Sequence, residues 1–307
     1  MNRQVKVWTP ATIANLNAGF DALGCALNNP GEEIIMSTIP EPGVVRISAV
    51  HGAELDLNPQ KNIAAVAARS LLREMGDPCG LELELFKQIK PGSGIGSSAA
   101  SAAGAVVAAN ELLEARFEAK DLVRFALDGE QLASGARHAD NVAPALMGGV
   151  VFCPPIGSPI ALPVPENWHL LVLHPQVEVK TSMSRGVLPH SVPLPDAAMQ
   201  ARWLGAFISA CYRGDQELAL CSLEDVLVGP HRQGLIPYFD EIKALAIDAG
   251  ARTGGISGSG PSTFWVCPDE HHLRLVRDAL SRFMDQRSVP FHLFQSNISA
   301  QGAHVIR

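Results

Sequence analysis

Alternation of apolar and polar side chains is clearest at residues 81–86, where Leu81, Leu83 and Leu85 share one face and glutamates occupy the other. A two-residue period of this kind predicts a half-exposed strand. Residues 4–8, with Val5 and Val7 on one face, and residues 44–50 predict two more strands. Residues 14–24 are rich in Asn and Gly and predict a loop. The period lengthens to four over residues 61–75, where Ile63, Ala67, Leu71 and Met75 form one helical stripe that Gly76 ends. Residues 99–113 are Ala-rich, which favours helix and close packing. A further helix is predicted over 120–134, a short helical turn over 140–146 and a strand over 148–153.

Proline then dominates residues 154–165, which predict a linker. Beyond it come a strand at 170–173, a loop at 189–195, and helices at 197–212, 217–227 and 239–249. A Gly/Ser loop at 254–260 leads into a strand at 263–267, and a helix at 270–283 and two short strands close the chain. This mixed order of strands and helices argues for an α+β fold, not a regular βαβ series. The linker divides the chain into residues 1–165 and 166–307.

At 307 residues, 47% hydrophobic and 18% charged, the chain is globular and long enough for one large or two medium domains. The net charge of −7, with no dense Lys/Arg run, argues against nucleic-acid binding. It does not argue against a phosphate ligand, since such sites are built locally from amides and a few cations. Cys25, Cys79, Cys153, Cys211, Cys221 and Cys267 are scattered without a C-x-x-C pair and read as small hydrophobes in a reducing compartment. The first residues lack an apolar signal-peptide core, and no run of about 18 apolar residues occurs. A soluble cytoplasmic protein is therefore expected.

The strongest chemical signal is Pro91-Gly92-Ser93-Gly94-Ile95-Gly96-Ser97-Ser98, which opens the Ala-rich helix. A helix N-terminus presents unpaired amides and partial positive charge. Glycines let an anion approach the backbone, and Ser97 and Ser98 add hydroxyls. The spacing is neither a dinucleotide fingerprint nor a Walker loop, because the third glycine comes too soon and no Lys follows Gly96. Taken alone, these residues leave an anion site and an ordinary Gly/Ser turn both open.

The longer string PGSGIGSSAASAAG resembles the phosphate loop of the GHMP kinases. Two further segments carry the same resemblance, so that it spans nearly the whole chain. Pro10-Ala11-Thr12-Ile13-Ala14-Asn15-Leu16-Asn17-Ala18-Gly19-Phe20-Asp21 resembles the opening motif of the members that phosphorylate homoserine. Gly254-Gly255-Ile256-Ser257-Gly258-Ser259-Gly260-Pro261-Ser262 resembles the family's third motif, a loop near the phosphates and the substrate. The resemblance implies a two-domain fold: an N-terminal ribosomal-protein-S5-like ATP-binding domain over 1–165, and a C-terminal ferredoxin-like α/β sandwich over 166–307, with the active site between them. It implies transfer of the ATP γ-phosphate to L-homoserine, giving O-phospho-L-homoserine on the threonine biosynthesis pathway. It is also compatible with a homodimer. Two alternatives are a GHMP kinase acting on mevalonate or a sugar, and a catalytically silent metabolite-binding protein of the same fold.

The same resemblance implies residue roles. Pro91, Gly92, Ser93, Gly94, Ile95, Gly96, Ser97 and Ser98 would hold the ATP phosphates, Asn62 and Ile63 would border the adenine, and Lys87 would lie near the nucleotide. Ser98 and Glu130 would hold Mg2+, whose preference is for oxygen donors. Without the family, Glu130 reads as an exposed helical Glu and Lys87 as a solvated strand-end Lys. Asn15 and Asp21 would meet the substrate ammonium. Arg185 and Arg232 would meet its carboxylate, which a guanidinium fork binds in bidentate fashion. His138, Thr181 and Gly260 would complete the pocket. Asn141 stands where mevalonate kinase and galactokinase carry an Asp base. An amide cannot take that proton, so Asn141 would orient the hydroxyl for direct in-line transfer. Asp140 is the rival base. Ile13 and Asn17 depart from the family, which usually has Ser or Thr and Gly or Ser there.

Overall fold

The computed structural model describes residues 3–135, 137–164, 168–179 and 181–306. The first sheet begins with β1 (Gln4–Ala14), β2 (Leu23–Ile39), β3 (Val45–His51), β4 (Gly80–Phe86), β5 (Val150–Phe152) and β6 (Ile160–Leu162). Helices α1 (Ile63–Glu74), α2 (Ser97–Leu112), α3 (Ala119–Ser134) and α4 (Ala139–Met147) pack on it. The leucines of β4 are buried against α1 and α2, as their alternation predicts. β3 runs parallel to β4, whereas β1, β2, β4, β5 and β6 pair antiparallel.

The second sheet has the order β10-β7-β9-β8, from β7 (His169–Pro175), β8 (Thr253–Ile256), β9 (Thr263–Cys267) and β10 (Phe291–Asn297). Around it lie α5 (Thr181–Gly186), α6 (Leu194–Arg213), α7 (Gln216–Cys221), α8 (Gly229–Arg232), α9 (Phe239–Asp248) and α10 (Glu270–Asp285). The last strand, β11 (His304–Ile306), returns to pair with β1. The chain therefore ends in the first sheet, and a division at residue 165 does not separate the two sheets cleanly. A core of Trp168, Phe207, Phe264, Ile13 and Leu23 joins them.

Several local expectations change. β1 continues through Pro10 to Ala14, so the opening motif is largely strand. β2 is hidden in the sequence by Asn28-Asn29-Pro30-Gly31, which resembles a turn. Pro10 faces Gly31 at the register shift between the strands, and a Cβ on Gly31 would lie 2.4 Å from the Trp8 indole. The proline-rich segment contains β6 rather than only a linker; its final residue, Pro165, lies outside the described residues. α6 begins at Leu194 because Pro195 suits a helix's first turn, where no N–H is required. α7 stops at Cys221, because the Ser222 hydroxyl donates back to the Leu218 carbonyl and Asp225 caps the next helix. Residues 253–256 are strand β8, so the second Gly/Ser loop begins at Ser257.

The mouth of α2 is fixed from below by a buried ion pair. Lys87 follows β4 and Glu32 lies on β2, and their charged groups are 2.5 Å apart with side-chain exposures of 3% and 2%. The Lys87 ammonium also donates to the Ser97 carbonyl at 3.0 Å and the Ser101 hydroxyl at 2.7 Å. Its three N–H bonds are thus all used, and two of them pin the first turns of α2. Burial raises the Glu32 carboxyl and lowers the Lys87 ammonium, and their mutual attraction opposes both shifts. The solvated reading of Lys87 fails because the residue is enclosed by the sheet and the helix.

Two stability predictions arise from these buried groups. Lys87→Met should destabilise the fold by about 3–5 kcal/mol, since it leaves a buried carboxylate unpaired. Glu32→Gln with Lys87→Met should recover much of that loss in urea melts; equal destabilisation of the single and double variants would contradict the pairing. His174 on β7 is 2% exposed, and neither ring nitrogen has a partner among the described residues. Burial, with Lys90 and His292 nearby, pushes its pKa from 6.5 down to about 4. Between those values the unfolded chain binds the proton and the folded chain does not, so stability falls as pH drops. The loss should approach about 3 kcal/mol and be absent in His174→Phe, measured by denaturant melts from pH 7 to pH 4.

Candidate active site

A cleft between the two sheets collects most of the phosphate loop, the start of α1, Glu130, and, of the residues expected to meet the substrate, Asn15, Asp21, His138, Asn141, Arg185 and Arg232. Gly92, Gly94 and Gly96 have φ of 74°, 82° and 72°, a region that side chains with a Cβ disfavour. Gly96 is the N-cap of α2, which has no side-chain cap, so the helix's first amides are left for a ligand. Gly94 is also a packing point: a Cβ there would lie 2.5 Å from the Gly260 carbonyl oxygen. The Ser257 hydroxyl donates to the Gly94 carbonyl at 2.7 Å, and the Ser262 hydroxyl to the Ser93 carbonyl at 2.6 Å. The second Gly/Ser loop thus grips the backbone of the first. Gly260 serves this support and does not line the cleft. Ile95 does not line it either: its side chain is buried in the core between the sheets, and its carbonyl accepts the Thr12 amide at 3.2 Å.

Hydroxyls of the loop divide their work. Ser97 donates to the Ile89 carbonyl at 2.8 Å, so it braces the loop. Ser98 bonds the Glu130 carboxyl across from α3. The buried Ser93 hydroxyl has no partner among the described residues. Asn62 caps α1 by accepting from the amides of Ala64 and Ala65, so its side-chain oxygen is already committed, although it still borders the cleft.

The opposite charges gather on three segments. Asn15 and Asp21 lie in the turn after β1, Arg185 on α5, and Arg232 on α8. Arg185 donates to Asp21 at 2.8 Å and to His138 Nε2 at 3.0 Å. The His138 proton is then on Nδ1, which lies 3.5 Å from the Asp21 carboxylate. Burial holds His138 below its ordinary pKa, and the neutral ring is the form that can accept from Arg185. The Nε–H of Arg185 is buried without a partner among the described residues. Arg232, 3% exposed, donates to the backbone carbonyls of Ser184 and Gly258, so it is no surface arginine. Both guanidinium carbons lie over the Phe20 ring, at 5.6 and 5.2 Å. The side chain of Thr181 lies outside the described residues.

Two acids and an amide complete the cleft. Burial pushes Glu130 up to about 7, against the stabilising bond from Ser98. Asp140 is likewise raised to about 7, first by burial and then by Asp21 and Glu130. Asn141, beside it on α4, accepts the Thr12 hydroxyl at 2.7 Å. A Cβ on Gly96 would lie 2.0 Å from that hydroxyl oxygen, so the phosphate loop, β1 and α4 meet at one point.

Five contributing residues escape the sequence reading. Thr12 and Phe20 sit inside the opening motif, and Ser257 and Ser262 inside the third, yet their partners are distant in sequence. Glu32 has no local signal. It reads as one of two adjacent surface glutamates until the fold buries it beside Lys87.

Comparison with known proteins agrees with this architecture. Residues 62–149 match the GHMP kinases N terminal domain, and residues 207–286 match GHMP kinases C terminal. A homoserine kinase of Xylella fastidiosa is 40% identical over 263 residues, covering 85% of this chain and 81% of that protein. A homoserine kinase of Chlorobium phaeobacteroides is 36% identical over 320 residues, covering 99% of this chain and all of that protein. The crystal structure of homoserine kinase from Cytophaga hutchinsonii superposes with a TM-score of 0.94 at 39% identity, covering 99% of this chain and 97% of that one. No helix among the described residues is long and apolar enough to cross a membrane. With both halves of the family matched and the two loops in backbone contact, the chain belongs to the GHMP kinase family.

Proposed function

We propose that this protein transfers the γ-phosphate of ATP to the side-chain hydroxyl of L-homoserine, forming O-phospho-L-homoserine on the route to threonine. The observation that carries the substrate is the Asp21–Arg185 pair, with His138 and Arg232 beside it in the phosphate-loop cleft. A zwitterionic amino acid brings one ammonium and one carboxylate. It can exchange charges with the pair: the ammonium turns to Asp21, and the carboxylate to Arg185, whose Nε–H is unpartnered, and to Arg232. Mevalonate has no ammonium and a sugar has neither group, so each would leave Asp21 without a new partner and lose affinity. The homoserine kinases to which the chain is similar support the same reading.

The loop amides and the α2 terminus take the phosphates. Lys87 acts on them through the first turn of α2, its own N–H bonds being used. Ser98 and Glu130 suit Mg2+: they are adjacent oxygen donors in the cleft, and a carboxyl held near neutrality by burial is one that a cation would ionise. When bound, Mg2+ supplies charge neutralisation at the phosphates. The remaining work is positioning, which dominates phosphoryl transfer. Because the Asn141 oxygen accepts from Thr12, its NH2 is left to orient the acceptor hydroxyl. Asp140, raised to about 7 first by burial and then by Asp21 and Glu130, must be ionised before it can act as base, and nucleotide phosphates would push it further toward the neutral acid, which cannot take the proton.

An ADP-release assay with homoserine, mevalonate, galactose and shikimate tests the reading; turnover should appear with homoserine, and turnover with another acceptor only would overturn it. Arg185→Ala should raise the homoserine KM by an amount worth about 2–5 kcal/mol and leave the ATP KM nearly unchanged; equal loss for both substrates would sink the assignment. Asp140→Asn should lower kcat by less than about tenfold, whereas removal of a general base costs about 10²–10⁴-fold.

A further inference from the structure

Gln200 is the polar exception on the buried face of α6, where its companions are Phe207, Ala210 and Cys211. Its amide nitrogen donates to the carbonyls of Ala18 at 2.9 Å, Glu224 at 3.1 Å and Asn17 at 3.3 Å. Its amide oxygen accepts the Val226 N–H at 2.9 Å. One side chain therefore holds two separate loops. The first is the turn between β1 and β2 that carries Asn15 and Asp21. The second is the 222–228 segment that leads into α8 and Arg232.

Asn17 repeats the connection from the other side. Its amide nitrogen donates to the Leu223 carbonyl at 2.9 Å and the Gly254 carbonyl at 3.0 Å. Gly255 makes room for it, since a Cβ there would lie 2.2 Å from the Asn17 side-chain oxygen. The turn needs such support. Asn15, Leu16, Asn17 and Asp21 all have positive φ, at 70°, 44°, 57° and 57°. Residues with a Cβ hold that conformation only where the surroundings over-determine it. Asp225 completes the second loop by accepting the amides of Leu227, Val228 and Gly229 at the start of α8.

We propose that Gln200, with Asn17, is a positioning residue for the acceptor: it sets Asp21 and Arg232, from opposite halves of the chain, at the separation that an amino acid's ammonium and carboxylate require. Gln200 acts only through backbone carbonyls and an amide. The phosphate loop draws its own support from Ser257, Ser262 and Lys87. The bonds of Gln200 go to residues 17, 18, 224 and 226 and to neither Gly/Ser loop, so the clamp bears on the acceptor residues first. The choice of an amino acid rests on the function proposed above, whereas the clamp itself does not.

The test compares the wild-type protein with Gln200→Met, which keeps the volume and removes the bonds, and with Gln200→Glu, which turns an acceptor toward three carbonyls. The KM values for ATP and for whichever of the four acceptors the wild type phosphorylates are measured, with amide hydrogen exchange over residues 15–23. Gln200→Met should raise the acceptor KM about tenfold or more with the ATP KM within about twofold; Gln200→Glu should do more; and exchange should speed up in the 15–23 turn. Equal changes in both KM values, or unchanged exchange in that turn, would overturn the clamp. If Gln200→Met does not fold, Asn17→Ser gives the same readouts, because it releases the Leu223 and Gly254 carbonyls while sparing the bonds to Gln200. If the wild type phosphorylates none of the acceptors, the functional reading fails and the exchange result alone decides the clamp.

Discussion

Two Gly/Ser loops from different sheets touch backbone to backbone, and the site is assembled on that contact. Ser257 and Ser262 take the carbonyls of Gly94 and Ser93 as acceptors. With those carbonyls turned to the second loop, the phosphate loop is held open at the mouth of α2. The approach is so close that Gly94 can carry no side chain. A buried carbonyl without such a donor would cost about 1–3 kcal/mol, so the serines are as necessary as the glycines. Since the second loop also gives Gly258 as an acceptor to Arg232 and Asn15, the phosphate loop and the side of the cleft that holds these two residues share one support.

Charge in the cleft is managed by pairing. Lys87 with Glu32 and Arg185 with Asp21 each form a neutral unit, but burial differs between them. The first is enclosed and serves as a fixed mount. The second is about one-third exposed at the cleft, with side-chain values of 36% and 28%, which leaves it able to exchange partners with a zwitterion. Glu130 and Asp140 are raised first by burial, against a bond from Ser98 in one case and the attraction of Arg185 in the other. A protein of net charge −7 can thus hold a polyanion, because amides at a helix end, rather than net charge, provide the attraction.

Much of this was legible in the sequence, for identifiable reasons. The alternation of β4 and the apolar stripe of α1 report burial directly, because each is set by one face of one element. The glycines of the phosphate loop are legible because positive φ is a local demand. What was hidden depends on pairing across the fold. β2 itself carries the irregularity, with residues 27–30 opposite the single residue Ala11 of β1, so its central residues look like a turn. β11 is only three residues long and gains its meaning from β1. Lys87 and Glu32 look like surface charges until they face each other. Asn17 departs from the family motif, yet the structure gives its side chain two backbone carbonyls to hold.

The end of β1 explains how residues from so many segments reach one geometry. Thr12 gives its amide to the Ile95 carbonyl of the phosphate loop and its hydroxyl to Asn141. Two residues on, the Ala14 carbonyl accepts the Gly258 amide of the second loop, and Asn15 then opens the acceptor turn. The phosphate loop, the Asn141 amide and the turn of Asn15 and Asp21 are therefore all referred to one buried strand. Loops alone would drift independently, and a misplacement of about 1 Å can cost 10²-fold in rate. β1 is paired to β11 through Lys6, Val7 and Trp8 and to β2 as far as Ala14, so its end has little freedom to drift. Alignment of the cleft is thus inherited from sheet pairing, and in the proposed reaction the exchange of ion pairs at Asp21 and Arg185 is the movement that remains.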